Sequence, residues 1–549
     1  MIIPRDPAQL QSWAADTIQN CFRSYQDRAN QYRIFRNLYL SGKADGQLAV
    51  YNRIQSHIDL LTSYMFSGET AAFEIEHDGK EERYDLMAYE WAKRLQHVFG
   101  DDLIDVMTYD AIIWALVYGS FFFKALPDGT FLLDPFDIGV WREDLTSLDD
   151  QECICHRYYI TKDQARRILL QAVEVGKIST EAALDAYRRV RSVSFADDSE
   201  VISPTVQQLI ITSTSPNIQG ASLVPYQLRG SEIARPDVDV ANIIKCYEIW
   251  AWDDMAEDYR IVSCFDPDVV FLDRPNYYLP HEHPFIQFAP NRVYNYFFGS
   301  SELWKLLRLQ EWSEDRIDDL KKKLKKDVDP PIGMIGMSTI PKDFKDAFQP
   351  GGVVPFGFMP NTKAEQLNSQ LGDDMWKSFE ADQGWFTDIS GMPGLLKGQG
   401  EKGVRSQQQL NKLSTLASAR LKKAALLCED SLERYASLKL KLMQRYDRTR
   451  MYYTLQNQNI PFIAAQFDAS FAAKVASHST SPVFKEDIRE TTFALLDRKI
   501  IPADMAAEML QFPYANRIRA HLKKVADAEQ AKEAQERQLE EKKLASKGR

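Results

Sequence analysis

Apolar positions recur at helical spacing through roughly the first 125 residues. In "AQLQSWAADTIQNCFRSYQDRANQYRIFRNLYL", Leu10, Trp13, Ile18, Cys21, Phe22 and Tyr25 fall near one stripe. "YDLMAYEWAKRLQHVFG" and "DDLIDVMTYDAIIWALVYG" continue the pattern. The period then shortens. "SFFFKALPDGTFLLDPFDIGVW" carries apolar runs on both sides of Pro127-Asp128-Gly129, which predicts a β-hairpin. "ECICHRYYIT", "IIKCYEIWAW" and "YRIVSCF" read as further strands, and Thr161 caps a helix in "ITKDQARRILLQAVEVG". Residues 192–236, rich in Ser, Thr, Pro and Asp, read as a long excursion.

Helical spacing returns after Gly299. "SSELWKLLRLQEWSEDRIDDLKKKLKKD" places Leu306, Leu309, Ser313, Ile317, Leu320 and Leu324 on one stripe, and Pro330-Pro331 stops it. "PPIGMIG" and "GGVVPFGF" read as short strands around a small helix, "PKDFKDAF". "DDMWKSFEADQGWFTDIS" is helical despite Gly384. A glycine-rich loop follows, and then Ser406 to about Tyr446 runs free of Gly and Pro, some 60 Å if continuous. "QFDASFAAKVASHS" is β-like, and "VFKEDIRETTFALLDRKIIPADMAAEML" predicts two short helices broken at Pro502. The last thirty or so residues are polar, with few apolar anchors.

Composition narrows the class. Hydrophobic content of 44% supplies a core, and a formal charge of −11 argues against a surface that grips nucleic acid all over. A local basic patch stays open. Six scattered cysteines suit a reducing compartment rather than a disulfide framework. The start of the chain carries Arg5 and Asp6 and no signal-peptide pattern, and the apolar run 111–123 falls short of the roughly 18 residues a spanning helix needs. A protein assembled in a cytoplasm, without a membrane, is expected.

The stretch "GMPGLLKGQGEKGVRSQQQLN" holds Gly398, Gly400 and Gly403 in G-x-G-x-x-G spacing. A dinucleotide loop must follow a strand and open a helix, whereas a helical pattern precedes this one. A phosphate-binding P-loop requires Lys-Ser/Thr where Val404-Arg405 stands. The glycines therefore read as hinges of a flexible basic loop. Cys153, Cys155 and His156 resemble half a metal site, but no second cysteine pair has zinc-ribbon spacing, and buried strand cysteines account for them better. His281 and His283 in "HEHP" read as loop residues. No EF-hand, two-metal or G-x-S-x-G pattern occurs, so no motif points to a metal, a cofactor or a catalytic nucleophile. Lys321, Lys322, Lys323, Lys325 and Lys326 crowd the end of one long helix, where cations complement the helix dipole or face a polyanion.

The order of segments from 299 to 446 resembles the portal proteins, or head-to-tail connectors, of tailed double-stranded DNA bacteriophages. "YGSFFFKALPDGTFLLDPFDIGVWRED" is similar to a wing segment of that family, and "LLDRKIIPADMAAEMLQFP" to the start of its crown. The resemblance implies an α+β, mainly helical subunit with wing, stem, clip and crown that forms a ring. The implied parts are a wing at 1–299, a descending stem helix at 300–328, a clip at 329–368 and a returning helix at 369–391. A tunnel loop at 392–405, a long helix with return to the wing at 406–482, and a crown with polar tail at 483–549 complete the chain.

It further implies a non-enzymatic ring, usually of twelve subunits, at one capsid vertex of the virion, assembled in the host cytoplasm. Its partners would be other copies of itself, double-stranded DNA without sequence preference, the terminase large subunit, major capsid and scaffolding proteins, and head-completion or tail adaptor proteins. Lys397, Gly398, Gly400, Lys402, Gly403 and Arg405 would form the DNA-facing loop, with the lysines at 321–326 second. Ile332, Met334, Val353, Val354 and Phe356 would form the clip interface. Two other readings compete: a nucleotide-dependent enzyme using the 398–403 glycines, and a helical scaffold or adaptor.

Overall fold

The computed structural model describes residues 1–49, 51–66, 73–101, 103–127, 129–174, 178–190, 243–265, 269–328, 332–335, 353–356, 364–366, 373–390, 407–455, 458–475, 492–498 and 506. The excursion at 192–236, the small helix expected near 341–348, the glycine loop and the polar tail lie outside them.

The chain begins with helices α1 (Pro7–Cys21), α2 (Tyr25–Ser41) and α3 (Arg53–Met65). The helical spacing over 8–40 is carried by two helices. Phe22 leaves helical geometry at φ −106° and ψ 18°, and Tyr25 starts the next helix. Both outer starts are capped: Asp6 accepts from the Gln9 N–H and Asn52 from the Gln55 N–H, with Pro7 at a position that needs no N–H. Strand β1 (Phe73–His77) and helices α4 (Glu82–Asp101) and α5 (Ile104–Tyr118) follow.

The hairpin expected at Pro127–Gly129 forms. Strands β2 (Phe121–Leu126) and β3 (Gly129–Leu133) pair from Leu126↔Gly129 to Phe122↔Leu133. After β4 (Ile138–Val140) and β5 (Cys153–Thr161) come α6 (Lys162–Glu174) and α7 (Thr180–Arg189). Thr161 caps α6 reciprocally: its Oγ1 accepts from the Gln164 N–H while its own N–H donates to Gln164 Oε1. Strands β6 (Ile243–Asp253), β7 (Asp258–Phe265) and β8 (Val269–Pro275) complete a five-stranded antiparallel meander with β4 and β5, and β9 (Phe285–Phe288) joins the other edge of β2.

Side chains alternate across the meander and send its residues into three clusters, one of them Ile244, Cys246 and Phe265 against α6 and α7. Cys153, Cys155, Ile249, Ala251 and Cys264 pack against Ala14, Ile18 and Cys21 of α1. Ile154, Trp250 and Ile261 face the main core with Phe122, Phe123 and Phe288. On that second face, Lys124 of β2 donates to Glu248 of β6 at 2.8 Å, and the Trp250 indole donates to the same carboxylate at 2.6 Å. Burial pushes the Glu248 carboxyl up, but the Lys124 charge and the two hydrogen bonds outweigh it and hold it at about 2. The pair joins the two sheets.

Helix α8 (Leu303–Val328) follows, then β10 (Ile332–Ile335), β11 (Val353–Phe356), β12 (Ala364–Gln366), α9 (Asp373–Ser390) and the 40-residue α10 (Gln407–Tyr446). The chain returns through the hairpin β13 (Met451–Leu455) and β14 (Gln458–Phe462) to β15 (Phe471–Val475). β15 pairs antiparallel with β1, Phe73↔Val475 through His77↔Phe471, so the two ends of the folded body close on each other. From Leu421 on, α10 is a central core helix, with Ala425, Leu432, Tyr435 and Leu440 buried. Arg434 and Lys441 also pair with Asp149 and Glu282 of the neighbouring loops.

Candidate nucleic-acid interface

The start of α8 is fixed by its neighbours. Gly119 (φ +103°) and Gly299 (φ +68°) lie back to back; a Cβ on Gly299 would sit 2.7 Å from the Gly119 carbonyl oxygen. Only glycine suits both the positive φ and this approach. Ser301 Oγ then donates to the Val117 carbonyl at 2.5 Å and accepts from the Leu303 N–H at 3.1 Å.

Burial divides α8 into two parts. Leu303, Leu306, Gln310, Ser313 and Glu314 are buried. From Asp315 to Lys325 every position is half-buried or exposed. The apolar stripe read through Leu324 is thus a core stripe only in its first part. Leu324 is 44% exposed, because the body that covers the first turns no longer lies alongside.

Helix α9 packs on α8. Trp312 and Trp385 have ring centroids 5.4 Å apart, and the Arg316 guanidinium stands 4.7 Å over the Trp312 ring. At the base, Arg53 of α3 pairs with Asp382 of α9 at 3.1 Å, both buried, and the His57 ring meets Phe386 edge-on. Sequence patterns do not point to these contacts; a buried Asp at a helical core position, flanked by Phe379 and Phe386, is the only signal.

The lysines differ from one another. Lys321 pairs with Asp318 and Lys322 with Asp319, each at 3.3 Å across one helical turn. Lys323 and Lys325 have no ion pair among the described residues. The side chain of Lys326 is outside the described set. The free positive charge of this helix end is therefore smaller than the sequence run suggests, though exposed pairs of this kind hold only about 0.3–0.5 kcal/mol each.

Ile332, Met334, Val353, Val354 and Phe356 lie on adjacent strands of one small sheet. β10 is central. It pairs in parallel with β11, Ile332↔Val353 to Ile335↔Phe356, and antiparallel with β12, Ile332↔Gln366 to Met334↔Ala364. The third strand was not expected from the sequence. The five residues pair inside one chain, and among the described residues the outer edges of β11 and β12 carry no further strand. Lys397, Gly398, Gly400, Lys402, Gly403 and Arg405 lie outside the described residues, between the end of α9 at Ser390 and the start of α10 at Gln407.

The cysteine and histidine candidates divide by face. Cys153 and Cys155 are buried against α1, where Cys21 Sγ comes 4.0 Å from Cys153 Sγ. Burial drives the Cys264 thiol far above its ordinary range. His156 points to the opposite face, 3.3 Å from Lys124 Nζ. Burial pushes its imidazole down to about 3, and the Lys124 charge adds to the shift. Among the described residues, no group of three or more His, Cys, Asp or Glu side chains is placed to hold a metal ion. No helix among them is long and apolar enough to cross a membrane. No family model matches the chain, and no curated protein matches it. What is established is a mixed α+β chain with several small, mostly antiparallel sheets among helices.

Proposed function

We propose that this chain is a portal-type subunit, which assembles into a ring around a channel for double-stranded DNA at a capsid vertex. One observation carries the reading: the order and packing of the elements between Leu303 and Tyr446. A 26-residue helix leaves the body, a three-stranded sheet follows, and an 18-residue helix packs back on the first. A glycine-rich basic segment then leads to a 40-residue helix whose second part is core. In the proposed ring the paired helices are the stem, the small sheet the clip, and 392–405 the loop that meets DNA.

The charge pattern supports this reading. A net charge of −11 keeps a polyanion from adhering to the body, while a few cations per subunit touch successive phosphates without reading bases. In the same proposal the subunit docks the packaging terminase first and head-completion proteins later, and catalyses nothing itself. The nucleotide-enzyme reading is weakened by helices at both boundaries of the glycine segment, Ser390 and Gln407, where a strand-to-helix turn is required. Light scattering on the purified chain tests the proposal. A particle of about twelve times 63.1 kDa is expected, and a monomer at every concentration and salt would overturn it.

A further inference from the structure

A cleft of about 740 Å³ lies away from the stem, between α10, β15, the 149–152 loop and the turn at 281–283. Its size suits a short chain-like ligand rather than a single ion. Six carboxylates line it against three Lys or Arg side chains. Those three cations are spoken for within the cleft: Arg434 pairs with Asp149, Lys441 with Glu282, and Lys474 with Glu433 at 3.3 Å. A fourth carboxylate, Asp430, faces Arg292 at 3.7 Å. Asp150 and Glu152 have no ion pair among the described residues. Beside them, the Trp252 and Tyr259 rings form an aromatic corner, centroids 5.3 Å apart and nearly perpendicular.

We propose that this cleft binds a linear organic cation, one whose ammonium groups are spaced along an alkyl chain. The carboxylate excess selects positive charge, and the half-buried Trp252 ring, backed by buried Tyr259, offers an aromatic surface that attracts ammonium and covers methylene groups. A metal ion fits less well, since among the described residues no three ligands converge. The same chemistry is presented by a free polyamine and by the lysine side chains of a polypeptide. The inference does not depend on whether the chain forms a ring.

Calorimetric titration of the full-length protein, in whatever assembly it adopts, tests it with two probes: spermidine and a tri-lysine peptide. Saturable binding of at least one probe, at one site per chain, is expected. Asp150→Asn with Glu152→Gln should weaken it about tenfold. The charge-matched change Glu74→Gln with Glu76→Gln, on exposed positions of β1, should leave it within about twofold. All four side chains are exposed, and circular dichroism verifies that the variants fold. Binding of spermidine alone assigns the site to a free polyamine; binding of the peptide assigns it to a protein segment. If neither probe saturates, or both double variants weaken binding equally, the cleft is not a cation site and the proposal fails.

Discussion

Arg53 of α3 and Asp382 of α9 form an ion pair at 3.1 Å with both side chains buried, so one charge pair ties α9 to the N-terminal helices. Removing one partner takes the counter-charge from the other, which stays buried. Asp382→Ala should cost about 3–5 kcal/mol, whereas Arg53→Met with Asp382→Leu should recover most of it. Urea unfolding of the two variants checks this; equal losses would mean that the pair is not the joint.

Gly119, at the end of α5, and Gly299, before α8, set up a contrast with a third glycine. Gly119→Ala meets the Phe298 carbonyl oxygen at 2.9 Å with φ at +103°, and should destabilise by about 2 kcal/mol or more. Gly384, exposed within α9, has nothing within 4 Å of a Cβ. Gly384→Ala should therefore stabilise by about 0.5–1 kcal/mol through helix propensity. Thermal denaturation of both variants gives opposite signs if the backbone geometry is as described.

Stability should fall as the solution is acidified from pH 6.5 towards 3. The folded chain holds His156 neutral down to about 3, while the unfolded chain protonates it near 6.5. In that window the unfolded state binds the extra proton, so stability rises with pH. Glu248, held at about 2 against an ordinary 4.5, acts in the same direction: its contribution is present above 4.5 and lost as pH falls through 2. His156→Gln should remove up to about 1.4 kcal/mol per pH unit of this slope. Urea midpoints measured across the range decide it, and an unchanged slope would contradict the assignment.

Duplex binding by the assembled particle should depend on the unpaired lysines more than on the paired ones. Lys323→Ala with Lys325→Ala should weaken it and flatten its salt dependence more than Lys321→Ala with Lys322→Ala, whose charges Asp318 and Asp319 offset. Lys397→Ala with Lys402→Ala should likewise weaken binding while leaving assembly intact. Fluorescence anisotropy with a short duplex at several salt concentrations measures all three. Identical curves for the four α8 lysines would remove the distinction.

Local rules made much of this fold legible. Pro127-Asp128-Gly129 marks its own hairpin, Thr161 its own helix cap, and the Gly- and Pro-free run its 40-residue helix, because each is decided by residues a few positions apart. What escaped is non-local or too short to carry a period. β1 and β15 are five residues each and find one another from opposite ends of the folded body. β12 has three residues, Ala364–Gln366, and takes its strand form from pairing with β10. The lysine run was legible as charge but not as pairing, since Asp318 and Asp319 compete for Lys321 and Lys322 one turn away. The cleft beside Asp150 and Trp252 gathers residues from five separate segments and leaves no motif in any of them.

Electron micrographs of the purified protein test the central proposal most directly. The account predicts discrete rings with rotational symmetry and an axial hole wide enough for a duplex, about 20 Å or more across. A homogeneous population of single chains, unchanged by concentration or salt, would contradict it.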